Sequence, residues 1–450
     1  MSETPSAQPA ASALSLKNLG NNALRRNDLA AAEELYRQAI AVDANYMPAY
    51  YNLGNVLHQT KRYAQALTAF ETAAALAPDD YEIQVNMGVT LNAMTKYDNA
   101  IAAFERATAL VPNGLEAAIN VGIAYYRSGR YQQAIDIWSK ILKADATCSI
   151  ARYYRSLVYL LLERWDEGFL DHEARLDLPG ATSVESYLGE SEWGGEPLHD
   201  KTLLIYHEQG LGDAIQLLRY AALCKAAGAR VMVHCHEELA TLLETCKDID
   251  VVVPDGARLP ESYDYYISLM SLPYALGRHA ELAPLHLNVA PKPLPAITGA
   301  AGLKVGVCWQ GGTKHDRDAE RSISIETLSG ALNGLTDATF FSLQDGALDS
   351  HGFAVPLHDH IDDFADTAGL AQQMDVVITV DTAVAHLCGS LGIPTWLLVT
   401  YAPDWRWGVA GDSTPWYPSV RLFRQPAPGD WATPLGQVRQ SLEAMQAKGS

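Results

Sequence analysis

NLGNVLHQTKRYAQALTAFETAA, residues 52–74, decides the N-terminal fold, because the chain contains three further versions of it. Matching segments begin at Asn18, Asn86 and Asn120, so the spacing is 34 residues each time, without an insertion. Gly20, Gly54, Gly88 and Gly122 recur in step, as do Ala32, Ala66, Ala100 and Ala134. Four residues after each of those alanines comes Tyr36, Phe70, Phe104 or Trp138, and Pro78 and Pro112 close two of the units. A period in this range marks stacked supersecondary units. The small residues let two antiparallel helices approach closely, and the aromatic is expected to fill the gap between one pair and the next.

These residues resemble the tetratricopeptide repeat (TPR) over about 13–148. A degenerate fifth unit keeps Tyr159, Trp165 and Gly168 in phase but has Ser156 and His172 where the glycine and the aromatic belong. A departing last unit is expected where a solenoid meets another domain. The expected order is therefore a disordered N-terminus over 1–12 and a TPR solenoid over 13–180. Asn18, Asn52, Asn86 and Asn120 form a ladder on the first helix of each pair. A carboxamide both donates and accepts, so the ladder can clamp the backbone of an extended peptide. The resemblance to TPR-bearing protein O-glycosyltransferases implies that role. The plainer alternative is that each Asn bonds a neighbouring repeat.

Beyond the repeats, composition narrows the classes. At 450 residues the chain has room for two to four domains, at about 100–200 residues each. Hydrophobic residues at 48% and charged residues at 19% exclude a fully disordered chain. The formal net charge of -20 argues against non-specific binding to nucleic acid or membrane. Of that charge, -4 falls in residues 1–180 and -16 in the rest. Six scattered cysteines without a C-x-x-C pair suit a reducing compartment. With no signal-peptide pattern at the N-terminus, a cytoplasmic location is expected. Residues 382–403 carry no Asp, Glu, Lys or Arg, but Gly389, Gly392 and Pro394 interrupt them, which predicts a buried α/β unit.

From Lys201 the periodicity changes. KTLLIYHE, ARVMVHCH, DIDVVVPD and YDYYISLM read as strands, with GDAIQLLRYAALCKAAG and ELATLLETC as the helices between them. Residues 281–300, with Pro284, Pro291, Pro293 and Pro295, read as a linker. A second series follows: LKVGVCWQ, a helix from about Ile325, ATFFSLQ, DFADTAGLAQQM, DVVITV, TAVAHLCGSLG and PTWLLV. Two α/β lobes are expected, over 181–290 and 291–450, with ligand in the cleft at the carboxyl ends of their strands. The last helix, about 434–447, is expected to pack back on the first lobe.

The strand exits carry the chemistry. His207-Glu208-Gln209-Gly210-Leu211-Gly212-Asp213 offers two glycines for tight turning and a helix start for an anion. Asp213 is either an ordinary capping residue or a cleft-facing carboxylate that takes a proton from an attacking hydroxyl. Gln310, Gly311, Lys314, Arg321 and Ser322 belong to a glycine-rich strand exit with a basic loop, which suits a pyrophosphate or is a solvated charged loop. Within that basic loop Asp316-Arg317-Asp318 reads as a chance match to a D-x-D metal motif. Asp381, Thr382, Ala383 and His386 sit where a strand gives way to a helix, whose N-terminal N–H groups can face a phosphate. His234-Cys235-His236 looks metal-like in composition only, since strand alternation puts Cys235 on the other face. Trp405, Trp407, Trp416 and Tyr417 suit either a sugar wall or packing.

Together these motifs resemble a two-lobed, GT-B type glycosyltransferase of the heptosyltransferase-like family, over about 201–425, and TPR-fused bacterial members that include flagellin-modifying ones. The resemblance implies Asp213 as catalytic base, Arg321 at the family's basic phosphate-contacting position, and Asp381, Thr382, Ala383 and His386 as its donor site. Gln344 stands near the position of the family's nucleoside-binding acid. The implied activity is inverting and metal-independent, with a nucleotide-sugar donor, a protein acceptor and no cofactor. The rivals are a transferase acting on a saccharide or lipid-linked acceptor, and a non-catalytic TPR adaptor.

Overall fold

The computed structural model describes residues 12–180, 191–259, 262–277, 282–295, 302–312, 317–344 and 351–449. Of the N-terminus expected to be disordered over 1–12, residues 1–11 lie outside the described residues, as do the basic-loop residues Lys314 and Asp316, whereas Ser12 is described and its hydroxyl caps the first helix by accepting the Ser15 N–H. The chain divides into two compact units, residues 1–158 and 159–450.

The first unit is built from four helix pairs. They are α1 (Ala13–Arg25) with α2 (Leu29–Val42), α3 (Met47–Gln59) with α4 (Tyr63–Leu76), α5 (Tyr81–Ala93) with α6 (Tyr97–Leu110), and α7 (Leu115–Arg127) with α8 (Tyr131–Ala144). Asp28 and Asp80 cap α2 and α5 by accepting the Ala31 and Ile83 N–H groups. The repeated glycines do their work inside each pair, not between pairs. A Cβ on Gly20, Gly54, Gly88 or Gly122 would lie 2.4–2.6 Å from Tyr36, Phe70, Phe104 or Trp138 of the same repeat. Each of those four aromatics is fully buried. The turn within each pair uses a left-handed residue at the same period: Asn27, Lys61, Thr95 and Gly129. Glu163 continues the series, so the fifth unit keeps the turn although it has lost the glycine. In its place Ser156 is buried and its hydroxyl donates to the Tyr153 carbonyl at 2.6 Å.

The division between the units falls inside α9 (Ser149–Leu161), and α10 (Trp165–His172) belongs to the second unit. Among the described residues that unit holds two wholly parallel sheets. The first, in spatial order β1-β5-β2-β3-β4, uses β1 (Ser191–Glu192), β2 (Thr202–Tyr206), β3 (Arg230–Cys235), β4 (Val251–Pro254) and β5 (Tyr265–Ser268). Its helices are α11 (Leu211–Leu217), α12 (Ala221–Ala226), α13 (Ala240–Glu244) and α14 (Leu272–Leu276). The second sheet runs β11-β10-β9-β6-β7-β8, from β6 (Leu303–Cys308), β7 (Ala338–Ser342), β8 (Val355–Pro356), β9 (Val376–Val380), β10 (Thr395–Val399) and β11 (Val420–Arg424). Its helices are α15 (Asp318–Arg321), α16 (Ile325–Leu332), α17 (Phe364–Ala371), α18 (Ala383–Ser390) and α19 (Ala432–Gly449). The α/β expectation over the second half holds. One detail is corrected: α19 packs on α16 and β11 of the second sheet, not on the first lobe. Leu435, Val438 and Leu442 join the core formed by Val305, Leu328, Leu332 and Phe423. Among the described residues no helix is long and apolar enough to cross a membrane.

Candidate functional site

Asp213 stands in the first turn of α11, directly after the β2 exit. One of its oxygens accepts the Gly210 N–H at 2.9 Å, and the other is bound by the Arg406 guanidinium. Asp213 is thus not the N-cap, which is Gly210, but the third residue of the helix reaching back to that cap's N–H, and each of its oxygens keeps a further lone pair. Neither glycine of this turn has a left-handed backbone; Gly210 has φ -73. Gly212 is needed for approach: a Cβ there would lie 2.8 Å from Cδ2 of His386 and 3.6 Å from Cα of Ala383. That contact brings the start of α11 against the start of α18, so the strand exits of the two sheets meet.

Arg406, between Trp405 and Trp407, is a site residue that no pattern in the sequence singles out. Its buried guanidinium also donates to Gln216 and, at 2.9 Å, to Asp404, and it lies 4.2 Å from the Trp405 ring centroid. Burial works against this charge, but Asp404, Asp213 and Asp381 outweigh it and hold the guanidinium firmly protonated. Asp404 has the mirror-image balance. Burial would raise its carboxyl, yet Arg406 holds it below the usual range.

At the β9 exit Asp381 is pushed up to about 6, first by burial and then by the charge of Asp404. His386 is buried and pushed down to about 3, by burial first and by Arg406 next, so it is a neutral imidazole near pH 7. Its Nδ1 is 2.9 Å from the Tyr417 hydroxyl, its Nε2 lies 4.0 Å from Asp381, and its ring stacks on Trp407. Thr382 is the N-cap residue of α18, but its side chain makes no capping bond. Its hydroxyl turns inward to Thr379 at 3.1 Å, so the side chain leaves the helix N-terminus to other partners. Arg321 reaches this exit from α15, donating to the Asp381 carbonyl at 2.9 Å. It lies across Gly311, where a Cβ would fall 2.4 Å from the guanidinium, and the Gly311 N–H donates to the Ser322 hydroxyl at 3.1 Å.

Gln344 is spent on shape. Its amide accepts from the Trp309 and Gln310 N–H groups at 3.2 and 3.0 Å and donates to the Gln310 carbonyl at 3.0 Å. Both ends of the carboxamide thus hold the β6 exit in place. Asp318 and Ser322 are bonded to each other at 2.8 Å, while Lys314 is outside the described residues. Trp405, Trp407, Trp416 and Tyr417 are all buried, and Trp405 and Trp416 pack edge-on to Trp165. Glu208 of the first strand exit is likewise buried, in an ion pair with Arg175 at 2.7 Å.

In the solenoid the asparagine ladder is partly engaged. Asn52 donates to Asn21 at 3.1 Å, and Asn86 donates to the Tyr51 hydroxyl at 3.0 Å. Each partner lies in the preceding repeat, as the plainer alternative expected. A separate open groove of about 610 Å³ runs over α2, α3 and α4, past Arg37, Tyr50, Leu57, Gln65 and Thr72.

The comparisons with known proteins bear mainly on the first unit. Residues 17–81 match the tetratricopeptide repeat family model, and residues 93–169 match the model for anaphase-promoting complex, cyclosome, subunit 3. Protein FlbA of Caulobacter vibrioides is 26% identical over 336 residues, a match covering 66% of this chain and 56% of FlbA. The match thus spans little more than half of that relative's length. Among solved structures, YrrB, described as a TPR protein with an unusual peptide-binding site, is 23% identical, with 37% of this chain and 85% of YrrB covered at a TM-score of 0.33. MamA 41-end of Desulfovibrio magneticus RS-1 is 20% identical, with 37% and 92% covered, also at 0.33. The internal period and the matching repeat model together identify the N-terminal region as a tetratricopeptide-repeat solenoid, a protein-interaction architecture.

Proposed function

We propose that this chain is an inverting glycosyltransferase of the two-lobed GT-B kind, moving a sugar from a nucleotide-sugar donor to a protein held by the solenoid. The observation that carries the reading is the convergence of Asp213, Arg321, Asp381 and His386, with the α18 N-terminus, at the joined strand exits. In this reading Asp213 takes the proton from an acceptor hydroxyl, whose oxygen bonds to the anomeric carbon as the bond to the donor phosphate breaks. Arg321 and the N–H groups at the start of α18 receive the leaving phosphate's charge, and neutral His386 offers a hydrogen bond without adding charge. Arg406 orients the base by binding one of its two oxygens.

A second reading is favoured by the asparagines. Because Asn52 and Asn86 are bonded to the preceding repeat, the ladder serves the solenoid's own packing. The acceptor would then be a saccharide or lipid-linked sugar, with the solenoid as scaffold. The test begins with a thermal-shift screen of sugar nucleotides on the full chain, followed by transfer assays with the donor found. Asp213→Asn should lower transfer by about 10²–10⁴-fold and leave donor binding in place. Undiminished transfer in that variant, or no sugar nucleotide that stabilises the chain, removes the reading. Glycan recovered on co-purified protein, as against lipid or saccharide, separates the two acceptors.

A further inference from the structure

The carboxyl edge of the first sheet gathers three imidazoles and a carboxylate that the transfer reading does not use. The strands β2, β3 and β4 are neighbours, with Tyr206 paired to His234 and Cys235 to Pro254. The ladder continues one residue past each strand: the His207 N–H donates to the His234 carbonyl at 3.1 Å, and the Asp255 N–H to the Cys235 carbonyl at 2.9 Å. This sets His207, His234, His236 and Asp255 side by side. Cys235 faces the other way, buried in the core with Val233 and Leu239, so no thiolate is within the set.

The distances suit one small cation. Ligand atoms of His207, His236 and Asp255 all lie within 4.8 Å of one another. Nε2 of His207 is 2.8 Å from Oδ1 of Asp255, Nε2 of His234 is 3.5 Å from the same oxygen, and Nδ1 of His236 is 3.7 Å from Oδ2. Metal–nitrogen bonds of about 2.0–2.1 Å in a tetrahedron place neighbouring ligand atoms roughly 3.3 Å apart. Two of these edges are near that value, and the third opens by about half an ångström to reach it. The side chains of the three histidines are 16–21% exposed, which leaves an ion a way in.

Hydrogen bonding adds an independent argument. Nε2 of His236 is 2.7 Å from the Gln209 carbonyl, which only accepts, so this nitrogen carries the proton. Nδ1 is then the ring nitrogen that faces the Asp255 carboxylate, at 3.7 Å. A ligating histidine that donates its other ring N–H to a backbone carbonyl is the usual outer-shell pattern of a metal site.

We propose that this edge binds one divalent transition metal of the Zn²⁺ and Co²⁺ class, with His207, His236 and Asp255 as ligands and His234 completing the set. Imidazole and carboxylate donors without thiolate suit those ions and not Ca²⁺ or Mg²⁺, which want oxygen. The site is separate from the transfer chemistry and does not depend on that reading. His236 also touches the turn that ends at Gly210, through the Gln209 carbonyl.

The experiment uses the full chain, purified without a histidine tag, stripped with EDTA and titrated with Co²⁺ while visible absorption is followed. One Co²⁺ per chain is expected, with four-coordinate nitrogen/oxygen bands, no thiolate charge-transfer band, and displacement by Zn²⁺. Asp255→Asn and His236→Gln should each weaken binding by at least about 10–100-fold, while His286→Gln and His351→Gln should leave it unchanged. Metal should raise the melting temperature of the wild type and of neither ligand variant. Asp255 is half-exposed, so its replacement is the one least able to disturb the fold. Retained Co²⁺ affinity in Asp255→Asn, a thiolate band, or no saturable binding overturns the proposal. So does stabilisation by mild acid with none by metal, which would make the cluster a proton holder.

Discussion

Arg406→Gln is the substitution that bears hardest on the architecture of the site. The guanidinium connects Asp213 and Gln216 on α11 to Asp404 beyond β10, and its side chain is 6% exposed. Removing one partner of a buried ion pair costs about 3–5 kcal/mol, because the remaining charge stays out of water. Here the two carboxylates keep 22% and 35% of their exposure, so solvent screens part of what is left behind. The expected loss is therefore at the lower end, about 3 kcal/mol. Tryptophan fluorescence during denaturation is the suitable assay, since eight of the nine tryptophans lie in residues 159–450. Adding Asp404→Asn to Arg406→Gln removes one stranded charge and should recover about 1 kcal/mol, although Asp404→Asn alone destabilises. A loss below about 1 kcal/mol for Arg406→Gln, or strict additivity in the double variant, would refute the account of a buried cation holding the two sheets' exits together.

Two further outcomes follow from the same geometry. Asp381 has a carboxyl raised to about 6 from an ordinary value of 3.8, so the folded chain takes up its proton first as the pH falls. Its contribution to stability is present below the ordinary value and is lost as the pH rises from about 4 to about 6; Asp381→Asn should abolish that part of the slope in denaturation midpoints. An unchanged slope would show that the group is not raised. In the solenoid, Gly88→Ala places a methyl 2.5 Å from Phe104 and should cost about 1–3 kcal/mol by circular dichroism melting, with Phe104→Leu in the same chain restoring part of it. A neutral result would mean that the helix pair has slack.

The solenoid was legible because its cause is local and repeated. Gly54 and Phe70 lie 16 positions apart in one unit, and the same juxtaposition occurs four times, so the period itself reveals the packing. The interior strands were legible for a similar reason, since short apolar runs between helical stretches mark buried parallel strands. The short β8 and the later β11 escaped, being brief or lying in a segment read for its aromatics. The site was legible only in its halves. Asp213, Arg321 and His386 could be picked from strand exits, but that His386 presses on Gly212 depends on two sheets meeting. Arg406 lies 193 positions from Asp213, and no spacing in the chain announces that pairing.

By itself, the sequence determined the repeat period, the solenoid and the alternation of strand and helix that makes the second half α/β, because near-neighbour packing and periodicity govern all three. Only the tertiary structure decided that α19 covers the second sheet, that Gln344 and the tryptophans are consumed in holding shape, and that Arg406 joins Asp213 to Asp404. It also set His207, His236 and Asp255 at one edge. Each of these rests on contacts between residues far apart in the chain. Their partners are chosen by which surfaces the folded sheets bury against each other, and local pattern carries no record of that choice.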